Sequence, residues 1–412
     1  MIQPNLSSRL LKAATPFATL RQRNFGLVWS AFMLGGLGAQ MEAVVLAWFV
    51  LTLTDSPFLV GLATSARIAA NFLALFSGAI IDRVSRQLVL SIVEFIMAAL
   101  ALVMLALIIS GWLAVWHIFA ITFLVGLARL FQMPAAQSLA ADSVAEDRVS
   151  NAMALTNTGM NLTLIIGPLI GGFLFDQFGP GGAYAAIACI YALSGVVALF
   201  VRTRRFSTSD RRESVLSTVI QGLKYVKGQQ LIWAALVVAA IINLTGFPFH
   251  TSLMPIFARD VLGTGSTGLG ILMSAFGMGA LAGSLVLASL PNLKHAGRLL
   301  IAAVVAWHLS MVVFAMSTSF YLSLAILVMT GMAFSWTLVL ILTVLMRTAL
   351  PEFRGRIMGL RVLAIYAHTF GSINSGAIAG ALGAPLAATV NAVVGIGLVG
   401  VLAMLAPKLR RS

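Results

Sequence analysis

The chain has 412 residues, 60% of them hydrophobic and only 9% charged, with a mean hydropathy of +1.01. A soluble domain carries about 25% charged residues to face water, so this composition excludes an ordinary soluble fold and makes lipid the natural solvent. The net charge of +14 is not the footprint of a nucleic-acid binder, because it is divided among short segments between apolar runs rather than gathered on one patch.

Residues 1–24 lack the short apolar stretch and cleavage site of a signal peptide, and are expected to be a cytoplasmic segment. A bilayer core takes about 20 apolar residues per helix. In chain order, the apolar runs predict spans over 25–53, 58–81, 88–110, 113–134, 151–175 and 182–201. The polar break RTRRFSTSDRRES at 202–214 opens a cytoplasmic linker expected to reach residue 230. Six further spans follow over 231–257, 267–290, 299–316, 320–346, 357–381 and 385–406, leaving 407–412 as a cytoplasmic tail. The predicted architecture is all-α, with twelve transmembrane helices in two bundles of six, 25–201 and 231–406.

Orientation follows from the Lys/Arg bias of the loops. With the N-terminus inside, 22 of the 26 basic residues fall on the cytoplasmic side; only Arg259 falls outside, and Arg67, Arg129 and Arg361 lie within spans. The two halves also repeat. Glu146 and Glu352 precede spans 5 and 11, Gly78 and Gly283 end spans 2 and 8, and Asp55 and Asp260 follow spans 1 and 7, all at separations close to half the length. A parallel duplication of this kind places a substrate site at the midplane between the halves.

The loop after span 2 reads GAIIDRVSRQ, with Gly78, Asp82, Arg83 and Arg86. Span 5 carries TLIIGPLIGG, with Gly167, Pro168, Gly171 and Gly172; span 4 carries ARLFQMPAA, with Arg129. Glycines at this spacing let helices approach backbone to backbone, and proline bends a helix by removing one hydrogen bond. These segments, together with LRQRNFGLVW before span 1 and PEFRGRIMGL before span 11, resemble the motifs of the major facilitator superfamily, in particular its bacterial multidrug and siderophore exporters. Ser85 and Thr163 stand where the family motifs have glycine. The resemblance implies that Gly78, Asp82, Arg83 and Arg86 latch the inner gate, that Gly167, Pro168, Gly171 and Gly172 form a pivot, and that Arg129 serves the cavity or coupling. Physics alone allows plainer readings, positive-inside anchoring for the loop and small-residue packing for span 5.

Ionisable groups inside a bilayer are expensive, so each is a functional candidate. Glu42 and Arg67 are expected at similar depth and able to pair, and Glu94 and Arg129 make a second expected pair; these four are the proton-coupling candidates, while Arg361, near the inner end of span 11, is a gating candidate or simply snorkels. Glu42 reads either as a proton carrier or as a counter-charge. Trp48, Asn243, Phe247, Met254, Met332 and Trp336 are the candidate cavity residues, since aromatic and methionine side chains adapt to bulky apolar ligands. His250, His308 and His368 read as packing or interface residues. The histidines do not cluster with Cys189 or with carboxylates, so neither a metal site nor a cofactor is expected.

The combined reading is a multi-pass protein of a bacterial inner membrane, a monomer among membrane lipids, exporting a small amphiphilic organic substrate such as a drug-like molecule or siderophore in exchange for protons. A lysophospholipid flippase and a polar-metabolite importer are the alternatives on the same fold. An intramembrane enzyme would need a nucleophile–base pair or metal ligands at depth, and a channel would need a selectivity-filter segment; neither pattern is present. Engineered cysteines at Ser209 and Gly265 should label from opposite faces of intact cells, and labelling of Ser209 from outside would overturn this topology.

Overall fold

The computed structural model describes residues 16–73, 85–202, 215–290 and 295–411, and these contain helices and no strand. Helix α1 runs Arg23–Thr54, 32 residues, or about 48 Å at the usual rise, enough to cross a hydrocarbon core of about 30 Å. It stops at Asp55, which turns into the left-handed region (φ 51°) and donates its N–H to Leu51 O at 2.9 Å. The next helix starts at once: Ser56 accepts from the Leu59 N–H at 3.3 Å, and Pro57 occupies the first turn, where its missing N–H costs nothing. Helix α2 (Pro57–Ala69) continues as the tighter turn Ala70–Leu73. Helix α3 (Arg86–Ile109) is capped by Ser85, whose hydroxyl accepts from the Leu88 N–H at 3.2 Å.

Helix α4 (Val115–Asp142) is longer than the predicted 113–134, because Pro134 sits inside it without ending it. Neighbouring helices and side chains can satisfy the carbonyl that an intramembrane proline frees. Helices α5 (149–178) and α6 (180–199) are nearly continuous, divided at Gly179, whose φ of 66° and ψ of −173° only glycine adopts readily. The last residues of the first half lie beside its first, with Asn24 Nδ2 donating to Arg202 O at 2.8 Å.

In the second half, α7 (Gln230–Val261) begins as a regular helix and then contains two wide turns, Phe249–Leu253 and Phe257–Val261. Each follows a proline, Pro248 or Pro255, and wide turns are one way a helix absorbs that break. Helices α8 (Ser266–Ser289), α9 (Ala296–Ala315), α10 (Phe320–Thr348) and α12 (Ala384–Leu405) are continuous. The predicted single span 357–381 is instead a two-part α11, Arg354–Leu363 and Tyr366–Leu382. Between the parts, Ala364 and Ile365 donate to carbonyls three residues back, at 3.1 and 3.0 Å. The helix Val215–Lys227 in the linker lies against the start of α11: Tyr225 stacks on Phe353 with centroids 4.1 Å apart. Gln230 donates to Leu405 O at 3.3 Å and Arg298 Nε to Arg410 O at 2.7 Å, so the described chain ends share one face, called here the terminal face.

Among the interfaces between the halves in the described residues, α2 with α11 and α5 with α8 are built alike. Gly61 of α2 presses on Ser372 O and Gly376 of α11, while Gly270 of α8 presses on Pro168 O of α5 and is itself approached by Gly172. One turn further, Ser65 Oγ donates to Thr369 O at 2.8 Å and Ser274 Oγ to Ile165 O at 2.5 Å. The α8 pair lies 209 positions after the α2 pair (61 to 270, 65 to 274), and the α11 pair 204 after the α5 pair (168 to 372, 165 to 369). The internal duplication is thus visible as the same backbone contact made twice, with a hydroxyl donating to the facing helix each time. Without apolar solvent exclusion to drive helices together in lipid, such close backbone approach supplies the attraction. A Cβ at Gly270 would lie 2.5 Å from Pro168 O, whereas one at Gly397 would meet nothing within 4 Å. Gly270→Ala should therefore lower thermal stability by about 1–3 kcal/mol, the usual overpacking range, and Gly397→Ala should be neutral; differential scanning fluorimetry on purified protein reads both.

Candidate functional site

Between the halves lies a cavity of about 550 Å³, within the range of small-molecule sites. Both halves line it. From the first come Gln40 of α1, Arg67 and Asn71 of α2, Arg129 of α4 and Pro168 of α5; from the second come Asn243, Phe247 and His250 of α7, Phe276 of α8, Phe334 of α10, and Arg361 and His368 of α11. Arg67 and Arg129 share a wall because α2 and α4 touch at Gly126, where any Cβ would strike Arg67 O and approach the Ala70 methyl at 3.0 Å. Arg129 follows Gly126 by three residues and so emerges one turn along the same face.

The two expected ion pairs are not made. No Glu42–Arg67 or Glu94–Arg129 contact within 4 Å is present among the described residues. Glu42 is buried and accepts from Tyr191 Oη of α6 at 2.7 Å, and the cation acting on it electrostatically is Arg129. Arg67 instead donates through Nη2 to Ala39 O of α1 at 3.1 Å. Depth alone suggested the pair, but a helix turns about 100° per residue, and Glu42 points to α6 rather than to α2. Glu94 is fully buried and accepts from Gln132 Nε2 at 2.7 Å. Gly35 of α1 makes room for this contact, since a Cβ there would strike the Glu94 carboxylate and lie 2.8 Å from Gln132 Nε2. Gln132, one turn after Arg129 on α4, reaches Glu94, while Arg129 itself lines the cavity.

Of the loop motif, Gly78, Asp82 and Arg83 lie outside the described residues. Arg86 starts α3 and forms an ion pair with Asp142 Oδ2 at 2.5 Å, tying it to the end of α4. In the span-5 motif, Gly167 and Gly171 pack α5 on α1: a Cβ on Gly167 would strike Gln40 and lie 3.3 Å from Leu37 O, and one on Gly171 would lie 2.9 Å from Met41 Cα. Gly172 faces α8 instead, and Pro168 lines the cavity.

Among the candidate cavity residues, Asn243 and Phe247 line it, whereas Trp48, Met254, Met332 and Trp336 do not. Trp48 and Met254 are buried in helix packing. Met332 and Trp336, one turn apart, share the α10 face toward Gly283: the Met332 Cα is 2.8 Å from where a Gly283 Cβ would be, and Trp336 Nε1 donates to Gly283 O at 2.8 Å. Phe334 lies between them in sequence, so it emerges on the other side, into the cavity. Of the histidines, read as packing or interface residues, His308 packs against Thr245 Oγ1 at 2.9 Å, and His250 and His368 line the cavity between the halves. His250 stacks on Phe276 with centroids 4.7 Å apart, and His368 Nε2 is 3.0 Å from Thr251 Oγ1.

Sequence reasoning missed Tyr191, Gln132 and a clamp at the face opposite the termini. There Arg259 Nη2 lies 2.7 Å from Asp55 Oδ1, its Nε 2.5 Å from Asp260 Oδ1, and its Nη1 donates to Leu51 O at 3.1 Å. The clamp joins the far ends of α1 and α7, and thereby the two halves. Arg259 being the one basic residue on the wrong side of the charge count, and the matched spacing of Asp55 and Asp260, were the available signals.

Twelve helices in two pseudo-symmetric groups with a cavity between them have the architecture of a major facilitator superfamily transporter. The chain belongs to its transmembrane secretion effector family, which it matches over residues 14–412. It is 26% identical over 396 residues to the multidrug efflux pump Tap of Mycolicibacterium fortuitum, covering 93% of this chain and 96% of that protein. It is 25% identical over 275 residues to the staphyloferrin A transporter of Staphylococcus aureus, covering 65% and 67% of the two chains. The crystal structure of the nucleoside transporter NupG superposes with a TM-score of 0.73 at 15% identity, over 93% of this chain and 98% of that one, which speaks to the fold alone.

Because Glu42 and Arg67 have different partners, Arg67→Met should not rescue Glu42→Gln. The double variant should melt no higher than the less stable single variant. Recovery of wild-type stability in the double variant would reinstate the pair.

Proposed function

We propose that this protein exports an amphiphilic organic compound across a bacterial cytoplasmic membrane by proton-coupled alternating access, with both termini and the linker in the cytoplasm. The observation that carries this reading is the cavity between the halves, with the α2–α11 and α5–α8 contacts and the Arg259 clamp lying on its far side. The groups 25–201 and 231–406 are taken as the moving units, working as a monomer. The named activities of the relatives, multidrug efflux and staphyloferrin A transport, support a small organic substrate.

Two buried carboxylates, Glu42 and Glu94, stand behind the cavity wall on the first half. Glu42 accepts from a phenol and feels Arg129 across the wall. A proton taken up at Glu42 would weaken its hold on Arg129, and so link protonation to the charge presented to the substrate. The segment containing Gly78, Asp82 and Arg83 is assigned to the gate at the terminal face, with Arg86 fixed by Asp142.

Everted membrane vesicles containing the protein should accumulate a fluorescent amphiphile when their interior is acidified, and should lose that accumulation on addition of a protonophore. Glu42→Gln should abolish proton-driven accumulation while keeping binding, since the amide keeps the shape but cannot titrate. Accumulation insensitive to the proton gradient would remove the coupling. Accumulation only in right-side-out vesicles would reverse the direction.

A further inference from the structure

The cavity is lined by three arginines, Arg67, Arg129 and Arg361, and among the described residues by no aspartate or glutamate. Cations at membrane depth are costly and normally answered by a counter-charge. Arg67 spends one of its five N–H donors on Ala39 O. Arg129 makes no hydrogen bond or ion pair with another described residue. Glu42, an acid on which Arg129 acts electrostatically, accepts its hydrogen bond from Tyr191 instead. The opposite wall, on α7, α8 and α10, is aromatic: Phe247 meets Phe334 edge-on with centroids 5.5 Å apart, and Phe276 lies 5.0 Å from Phe334.

Resting on the reading of this cavity as the transport site, we propose that the substrate is an anionic amphiphile, its oxyanion held by Arg67 and Arg129 and its apolar or aromatic body seated on Phe247, Phe276 and Phe334. Guanidinium is suited to this role, because its planar fork bonds a carboxylate or phosphate group through two parallel N–H donors and keeps its charge at any physiological pH. Bonds of this kind strengthen in a site shielded from water. A cationic amphiphile of the same shape would bring its charge among three like charges, with no carboxylate on the lining among the described residues. The ligand would also bridge the halves, charge on the first and apolar body on the second, so its binding would act on their relative position.

The test uses three probes with one aromatic body and different charge, dansylglycine (anionic), dansylamide (neutral) and dansylcadaverine (cationic), titrated onto the full-length protein in phosphatidylcholine nanodiscs and followed by dansyl fluorescence. Dansylglycine should bind about tenfold more tightly than either of the others. Arg67→Gln and Arg129→Gln should each remove most of that preference, Arg67→Lys should retain part of it, and Phe334→Ala should weaken all three probes alike. Equal or tighter binding of dansylcadaverine, or an anion preference that survives both glutamine variants, overturns the anion site and leaves an exporter of other amphiphiles standing. Failure of all three probes to bind also overturns it. Tight binding of dansylglycine without proton-driven movement in everted vesicles upholds the anion site and overturns the export reading instead.

Discussion

A charge placed at membrane depth has to find a partner or a wet cavity, and this protein answers that demand in two opposite ways. Its buried carboxylates are sealed into the first half and given neutral donors, Tyr191 for Glu42 and Gln132 for Glu94. Its intramembrane arginines are left on the surface of the central cavity. Replacing neutral donors by a direct carboxylate–arginine pair would have satisfied both groups, yet a buried pair is often no more stable than an apolar substitute, and it would have withdrawn the arginines from the cavity. The division keeps acid and base apart, with the Glu42 carboxylate bonded to Tyr191 and the Arg129 guanidinium on the cavity.

That arrangement depends on helices standing unusually close. The Glu94 carboxylate occupies space left by Gly35, Arg67 stands over Gly126, and the ring of Tyr191 lies against Gly38, with its Cε1 2.9 Å from where a Cβ would be. The same device joins the halves through Gly61 and Gly376 on one side and Gly172 and Gly270 on the other. Contacts of backbone on backbone, with one hydroxyl apiece, hold the two halves together toward the far face. The Asp55–Arg259–Asp260 clamp adds a charged fastening there. With the Asp55 side chain 86% exposed, the clamp contributes little stability by itself.

The fold was largely legible because lipid imposes long apolar runs and an asymmetry of Lys and Arg that survive any detail of packing. Pro134 misled the end of α4 and nothing in RGRIMGLRVLAIY announced the break in α11, since both depend on what neighbouring helices supply. The candidate site was legible by residue type and not by bearing. Glu42, Arg67, Glu94 and Arg129 stood out as charges in apolar runs, but their partners Tyr191 and Gln132 are ordinary residues for such helices, and Tyr191 is 149 positions from Glu42. Met332 and Trp336 looked suited to a ligand by chemistry, and their place against Gly283 is fixed by an azimuth that spacing alone leaves open once α8 is absent from view. The matched positions of Asp55 and Asp260 and the lone outer Arg259 signalled the clamp only in part, because spacing does not show that one guanidinium reaches both carboxylates.

The central claim is that the seam at the far face opens as the terminal face closes. Spin-label distances on the full-length protein in nanodiscs test it most directly, with one pair at Leu53 and Leu382 across the far face and another at Ser150 and Leu290 toward the terminal face. All four positions are exposed. Between the apo state at neutral pH and an acidified sample holding a bound amphiphile, the account predicts a longer far-face distance together with a shorter terminal-face distance. Two distance distributions that stay fixed across those conditions, or that lengthen together, would contradict it.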